Sequence, residues 1–210
     1  MRLRFALLGL CFLLAACESA PTKPVAQDDS DGSQSFVTEE QKIWNDPIDR
    51  ADERVTKKPF SIFITPADSP VQPEKFKGYH TGTDFELNPG ETEHDVAVRA
   101  ACIGRVIYRQ WVKGYGGVVI QRCTLNGSPV TVLYGHLSLA SVDAKIEQEL
   151  AAGERIGVLG TGFSTETDGE RPHLHFAIHR GADRELEGYV QTKEELDGWV
   201  DAATVPGVTV

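Results

Sequence analysis

The chain has 210 residues, 40% of them hydrophobic and 25% charged, which suits one ordinary folded domain with an attached tail. Lys and Arg number 21 against 31 Asp and Glu, a formal net charge of −10, and that sign argues against nucleic acid as a partner because attraction to phosphate drives such binding. A mean hydropathy slightly below zero excludes a multi-span membrane protein.

In chain order the first element is a leader. Arg2 and Arg4 precede a charge-free apolar run from Phe5 to Ala16. A bilayer span takes about 20 residues, so a basic head with this shorter run reads as a secretory signal over residues 1–16. The run closes Leu14-Ala15-Ala16-Cys17, which resembles the lipobox of bacterial lipoproteins. That resemblance implies cleavage before Cys17, acylation of its thiol and a membrane anchor made by the lipid; several acyl chains hold a protein stably where one does not. The alternative is an ordinary signal with a chance cysteine. Asp after the acylated cysteine commonly means inner-membrane retention, so Glu18 favours the outer membrane, facing the periplasm. Losing Arg2 and Arg4 leaves the mature chain two charges more negative, so the polypeptide itself has little attraction for anionic lipid.

Residues 17–35 carry no aromatic residue and many turn formers, and read as a lipidated tether. Residues 36–58 read as an extension. Thr38 and Gln41 have capping-box spacing, which predicts a short helix over 39–45 ending before Pro47. A second helical turn is expected over 49–55, with the whole extension packed loosely. From Pro59 onward short β-like runs alternate with Gly-containing turns: 61–65, 95–101, 103–108, 118–122, 130–134, 156–159 and 174–178. Asn126-Gly127 is a strong hairpin signal. Residues 144–152 have helical propensity, a Glu-rich surface loop being the alternative. The tail from Gly181 has apolar anchors at Leu186, Tyr189, Val190, Leu196 and Trp199 that predict wrapping of the domain. The expected class is mainly β: one antiparallel sheet or sandwich domain over 59–200 with few short helices, then a tail over 201–210. Cys102 and Cys123 are an even pair in an exported chain and flank the Gly-rich turn, so a disulfide across a hairpin is expected, with two buried thiols as the alternative.

The histidines carry the chemistry. His173-Leu174-His175 lies in a β-like run, so both imidazoles share one face while Leu174, Phe176 and Ile178 face the core. His80 and Asp84 sit four apart around Gly82 and can converge from a turn onto one ion. His136 follows Tyr134-Gly135 at a strand end. Each signal alone is weak. In order they read H-x-x-x-D, Y-G-H-L and H-L-H-F, and this set resembles the lysostaphin/LytM-type zinc metallopeptidases, known mostly for cutting peptidoglycan peptides. The likeness extends over about 77–176, through Val98-Arg99-Ala100-Ala101, Gly104-Arg105-Val106 and Gly114-Tyr115-Gly116-Gly117.

The resemblance implies a LytM-like groove and one Zn²⁺ per chain, with His80, Asp84 and His175 as ligands and His136 and His173 as catalytic histidines. Three N/O ligands leave a position for water, the pattern of catalytic zinc. The expected reaction is hydrolysis of a peptide bond in peptidoglycan stems or crosslinks by zinc-activated water. A second reading is a non-catalytic envelope regulator that activates amidases, or a peptidoglycan-binding module, and a third is a peptidase for a protein outside the wall. The filled ligand set discriminates in favour of the enzyme. His94 reads as a charged loop residue and His179 as a solvated edge residue. Trp111 and Tyr115 flank the Gly-rich turn and either line the groove or pack the hairpin. The pattern departs from the family at the segment 160–172, GTGFSTETDGERP, which is longer and more charged than the usual link ending T-G-P, so the groove rim is expected to differ. Neither the residues nor the resemblance gives the oligomeric state.

Overall fold

The computed structural model describes residues 43–210. The leader, Cys17, the tether and the first part of the expected helix over 39–45 lie outside the described residues. Twelve strands follow in chain order: β1 (Phe63–Ile64), β2 (Gly78–His80), β3 (Gly82–Glu86), β4 (Ala97–Arg99), β5 (Gly104–Val112), β6 (Gly116–Leu125), β7 (Ser128–Leu137), β8 (Glu149–Leu150), β9 (Arg155–Val158), β10 (His173–Arg180), β11 (Tyr189–Val190) and β12 (Trp199–Val200). The only helical segments among the described residues are short 3₁₀ turns. None is long and apolar enough to cross a membrane.

The principal sheet has the order β12-β10-β7-β6-β5-β8, with β3 also paired to β10. Every pairing is antiparallel. The β6–β7 hairpin closes through Asn126 and Gly127, whose φ values of 50° and 78° suit the two-residue turn that matches strand twist. Period-two alternation sorts the side chains to two faces. Leu174, Phe176 and Ile178 of β10 join Val119, Val132, Tyr134 and Phe85 in the larger core. Ala177 of β10 joins Val118, Ile120, Leu133, Tyr115 and Trp199 in a smaller cluster, and this is the face that His173 and His175 share.

The extension is not loosely packed, and its described part is not helical at 43–45. Trp44 bridges Cys102 and Ile48 bridges Val98, and both side chains are buried in the larger core. Propensity is overridden here because the indole fills core volume and its Nε1 donates to the Thr124 carbonyl at 3.2 Å. Only Ala51–Glu53 within 49–55 forms a 3₁₀ turn. Farther on, the Glu86 N–H donates to the Arg54 carbonyl and the Asp84 N–H to the Lys58 carbonyl, each at 3.0 Å. The extension therefore braces β3. The expected helix at 144–152 is absent as well: the segment makes a turn and then β8 on the edge of β5. The C-terminal residues are core, with Ala202, Val205 and Val208 buried. Cys102 and Cys123 are joined as a disulfide, their Cα atoms 6.2 Å apart.

Arg54 is nearly wholly buried and pairs with Glu91 through two nitrogens at 2.7 and 2.9 Å. Those hydrogen bonds lower the Glu91 carboxyl to about 2 against the opposing effect of burial. A carboxyl lowered by folding stabilises above its unfolded pKa, and the gain is lost as pH falls through the folded value. Wild-type stability in urea is expected to drop between pH 5 and 2, and Glu91→Gln to flatten that drop; equal slopes in the two proteins would contradict the assignment.

Candidate active site

β2 and β3 carry His80 and Asp84, and β10 carries His175 directly opposite Asp84 in register. His80 and Asp84 thus come from two short strands and not from the expected turn. Gly82 lies between them because a Cβ there would stand 2.8 Å from His175 Nε2 and 2.6 Å from the Phe176 carbonyl oxygen. The approach of β3 to β10 requires a residue without a side chain.

Three donor atoms converge. His80 Nε2 is 3.0 Å from His175 Nδ1, Asp84 Oδ1 is 3.1 Å from His175 Nδ1, and His80 Nε2 is 3.3 Å from Asp84 Oδ1. All three residues are buried and form the one metal-ligating group of this kind among the described residues. Ligands about 2.0–2.1 Å from a tetrahedral zinc stand roughly 3.3 Å from one another, so the triangle has the edge lengths that ion demands. The second nitrogens are also placed. His80 Nδ1 lies 3.2 Å from the Pro59 carbonyl oxygen. A carbonyl only accepts, so the proton sits on Nδ1 and Nε2 turns its lone pair to the cluster. His175 Nε2 lies 3.4 Å from the Tyr115 hydroxyl.

Burial lowers His175 to about 4, opposed by its hydrogen bond with Asp84. Burial favours a protonated Asp84, but the facing His173 and His80 rings and the hydrogen bonds from His173 and His175 outweigh it and hold the carboxyl well below the usual range. A neutral imidazole beside a carboxylate is what a cation binds. Burial, with Asp84 adding to it, raises the Tyr115 and Tyr189 hydroxyls, which stay protonated as donors.

His136 ends β7 with φ 61°, a left-handed conformation uncommon for a residue with a side chain. Its carbonyl accepts from the Gly160 N–H at 2.8 Å, and its ring lies 4.2 Å from that of His173, centroid to centroid. The preceding Gly135 admits the Tyr115 ring, since a Cβ there would approach it to 2.7 Å. His136 Nδ1 is buried without a hydrogen-bond partner. Burial first, then the neighbouring histidine charges, hold the ring well below its ordinary value, so it is neutral. His173 Nδ1 donates to the Arg171 carbonyl at 2.9 Å, and its Nε2 lies 3.3 Å from Asp84 Oδ2.

A cavity of about 310 Å³ opens over these residues, and Asp84, His136, His173, His175, Tyr115 and Tyr189 all line it. Tyr115 is therefore part of the site. Trp111 is half exposed and packs the long segment instead, donating its Nε1–H to the Thr165 carbonyl at 2.8 Å. His179 packs edge-on against Trp199, centroids 4.8 Å apart, away from the cavity residues, so it is an indole contact more than a solvated edge residue. His94 is exposed on a 3₁₀ turn. The segment 160–172 contributes Glu170 and Arg171 to the cavity wall. Arg171, Glu86 and Tyr189 escape the sequence reading. Arg171 lies in the segment whose charge stood out, but no spacing rule brings it back onto Asp84.

The fold and the site define a metallopeptidase-like β domain. The family model for peptidase family M23 matches residues 78–187, and the chain belongs to that family. Curated protein sequences give no match. Solved structures similar to this one include the solution structure of lysostaphin, 22% identical over 75% of this chain and 55% of that one with a TM-score of 0.48. A putative M23 peptidase from Pseudomonas aeruginosa is 23% identical over 65% and 44% with a TM-score of 0.40. Csd3 of Helicobacter pylori is 22% identical over 72% and 38% with a TM-score of 0.43. The chain thus spans from under two fifths to just over half the length of these proteins.

Proposed function

We propose that the protein is a zinc-dependent endopeptidase acting on the peptides of peptidoglycan. The observation that carries this reading is the triangle of His80 Nε2, Asp84 Oδ1 and His175 Nδ1, whose Asp84 and His175 line one cavity with His136 and His173, in a chain of a peptidase family. His80, Asp84 and His175 would hold one zinc ion, which would supply Lewis acidity at the scissile carbonyl and lower the pKa of water toward about 7. His136, neutral and with an unpartnered nitrogen, accepts the proton of the attacking water. His173 is oriented by its Nδ1–H bond to the Arg171 carbonyl, and its Nε2–H, only 3.3 Å from Asp84 Oδ2, is the group that would turn toward the developing negative charge. Tyr115 holds His175 and excludes water behind it. A non-catalytic regulator would need none of this donor set.

The reading extends to location. Acylated Cys17 would hold the protein on the outer membrane, with the domain facing the periplasm and the wall; recovery of a Cys17→Ser chain in the membrane fraction would contradict the anchor. The reaction is tested by incubating zinc-loaded protein with purified sacculi and identifying the products by mass. Release of peptides cut at one defined bond is expected, and intact sacculi with zinc bound would overturn the reading.

The cavity also indicates substrate charge. Lys77 and Lys113 line its mouth, and neither has a carboxylate partner within ion-pair distance among the described residues. Unpaired cations at the mouth of a chain with net charge −10 favour a peptide carrying free carboxylates. Lys77→Glu with Lys113→Glu is expected to lower kcat/KM about tenfold or more on a carboxylate-bearing peptide. The loss should shrink when that peptide is amidated. Equal losses on both peptides would contradict a charge role.

A further inference from the structure

Beside the three converging donors lies an ion pair that their chemistry does not call for. Glu86 follows Asp84 by two residues on β3, so both carboxylates reach the same face, opposite His173 and His175. Glu86 is buried, as is Arg171, and Glu86 is not among the converging ligand atoms. The Arg171 Nε–H donates to both oxygens of Glu86, at 3.1 and 3.0 Å. The terminal Nη2 donates to Glu86 Oε1 and to Asp84 Oδ2 at 2.9 Å.

The two oxygens of Asp84 are thereby divided. Oδ1 faces His80 and His175. Oδ2 faces Arg171 and His173. A carboxylate with one oxygen tied to a fixed guanidinium can offer only the other to an ion. Left untied it can rotate, or bind through both oxygens and raise the coordination number. Glu86 supplies the other half of the device. Alone beside Asp84, Arg171 would put a second positive charge next to a dication and could draw the whole carboxylate to itself. Glu86 occupies Nε and shares Nη2, so Asp84 receives a single hydrogen bond from Arg171 and most of the guanidinium charge is neutralised.

We propose that Arg171 and Glu86 are positioning residues that hold Asp84 as a one-oxygen ligand and keep a position open at the ion for the reacting groups. The inference rests on the metal-site reading above. Groups that orient metal ligands typically change metal affinity or activity by about 10–100-fold.

The test uses chelator competition to measure zinc affinity, the visible spectrum of the Co²⁺-substituted protein to read coordination number, and thermal melting of the metal-free form to read folding. Arg171→Met takes the guanidinium from two buried carboxylates and leaves Glu86 only Lys57 at 3.5 Å, so the deciding variant is Glu86→Gln with Arg171→Met, a neutral pair of similar size. In this double variant zinc affinity is expected to fall about 10–100-fold. Its Co²⁺ absorption should weaken as coordination rises above four, while the metal-free melting point stays close to wild type. Arg171→Lys keeps the charge but not the fork, and should fall between the two. Zinc affinity within threefold of wild type and an unchanged cobalt spectrum in the double variant would overturn the proposal, even if stability changed. Failure of the wild-type protein itself to bind zinc would instead overturn the metal-site reading.

Discussion

Zinc-loaded His136→Ala protein is expected to cleave its peptide about 10²–10³ times more slowly than wild type, with KM little changed. The size follows from losing one preorganised polar group at a reacting centre and corresponds to about 3–4 kcal/mol in the barrier. The reason is positional. His136 is presented by a strand end in a left-handed conformation, and the bare backbone of Gly135 lets Tyr115 close behind it. Its ring lies against His173 and not among the three converging donors, so alanine should leave the zinc in place. Zinc content and kcat measured on the same preparation check this. A variant with a full complement of zinc and near wild-type kcat would remove His136 from the reaction.

The second large effect is on stability. Arg171→Met should destabilise the domain by about 3–5 kcal/mol at neutral pH, because breaking a buried pair leaves its charged partner uncompensated. Here two buried carboxylates lose their guanidinium, Asp84 and Glu86, and Glu86 keeps only the half-exposed Lys57 at 3.5 Å. The pH dependence has a definite sign. In wild type Asp84 is held well below the usual carboxylate range, so its contribution is present above the unfolded pKa and lost as pH falls. The variant lacks one of the cations facing Asp84, the Arg171 Nη2 at 2.9 Å, so less of that contribution is there to be lost in acid. The gap between the two proteins in urea unfolding should therefore narrow from pH 7 toward pH 4. A constant gap would mean that the loss comes from packing alone.

The strands most legible in the sequence are those with a strong local signal, a turn dipeptide or a clean alternation. The β6–β7 hairpin follows from Asn126-Gly127, and the alternation around His173 and His175 follows from strand periodicity. Segments whose local composition points to another structure were not legible. Trp44 read as the end of a short helix and Ile48 as part of a loosely packed extension, yet their bridges to Cys102 and Val98 place them in the core. The segment 144–152 has the composition of a helix, but the free edge of β5 takes two of its residues as β8. The site divides in the same way. The five residues at His80, Asp84, His136, His173 and His175 announce themselves by spacing; four of them line one cavity, and His80 meets Asp84 and His175 in the donor cluster behind it. Arg171 and Glu86 do not, since their meeting depends on the path of the segment 160–172 over β3, which no local pattern encodes. Tyr115 stood between two readings, and the absence of a Cβ at Gly135 is what brings it to His175.

Zinc titration of the metal-stripped protein, with peptide release as the readout, tests the central claim most directly. Hydrolysis should be absent from the stripped protein, rise linearly with added zinc and level off at one equivalent per chain. Activity that survives stripping, or a plateau at another ratio, would contradict a single zinc held by His80, Asp84 and His175 as the basis of catalysis.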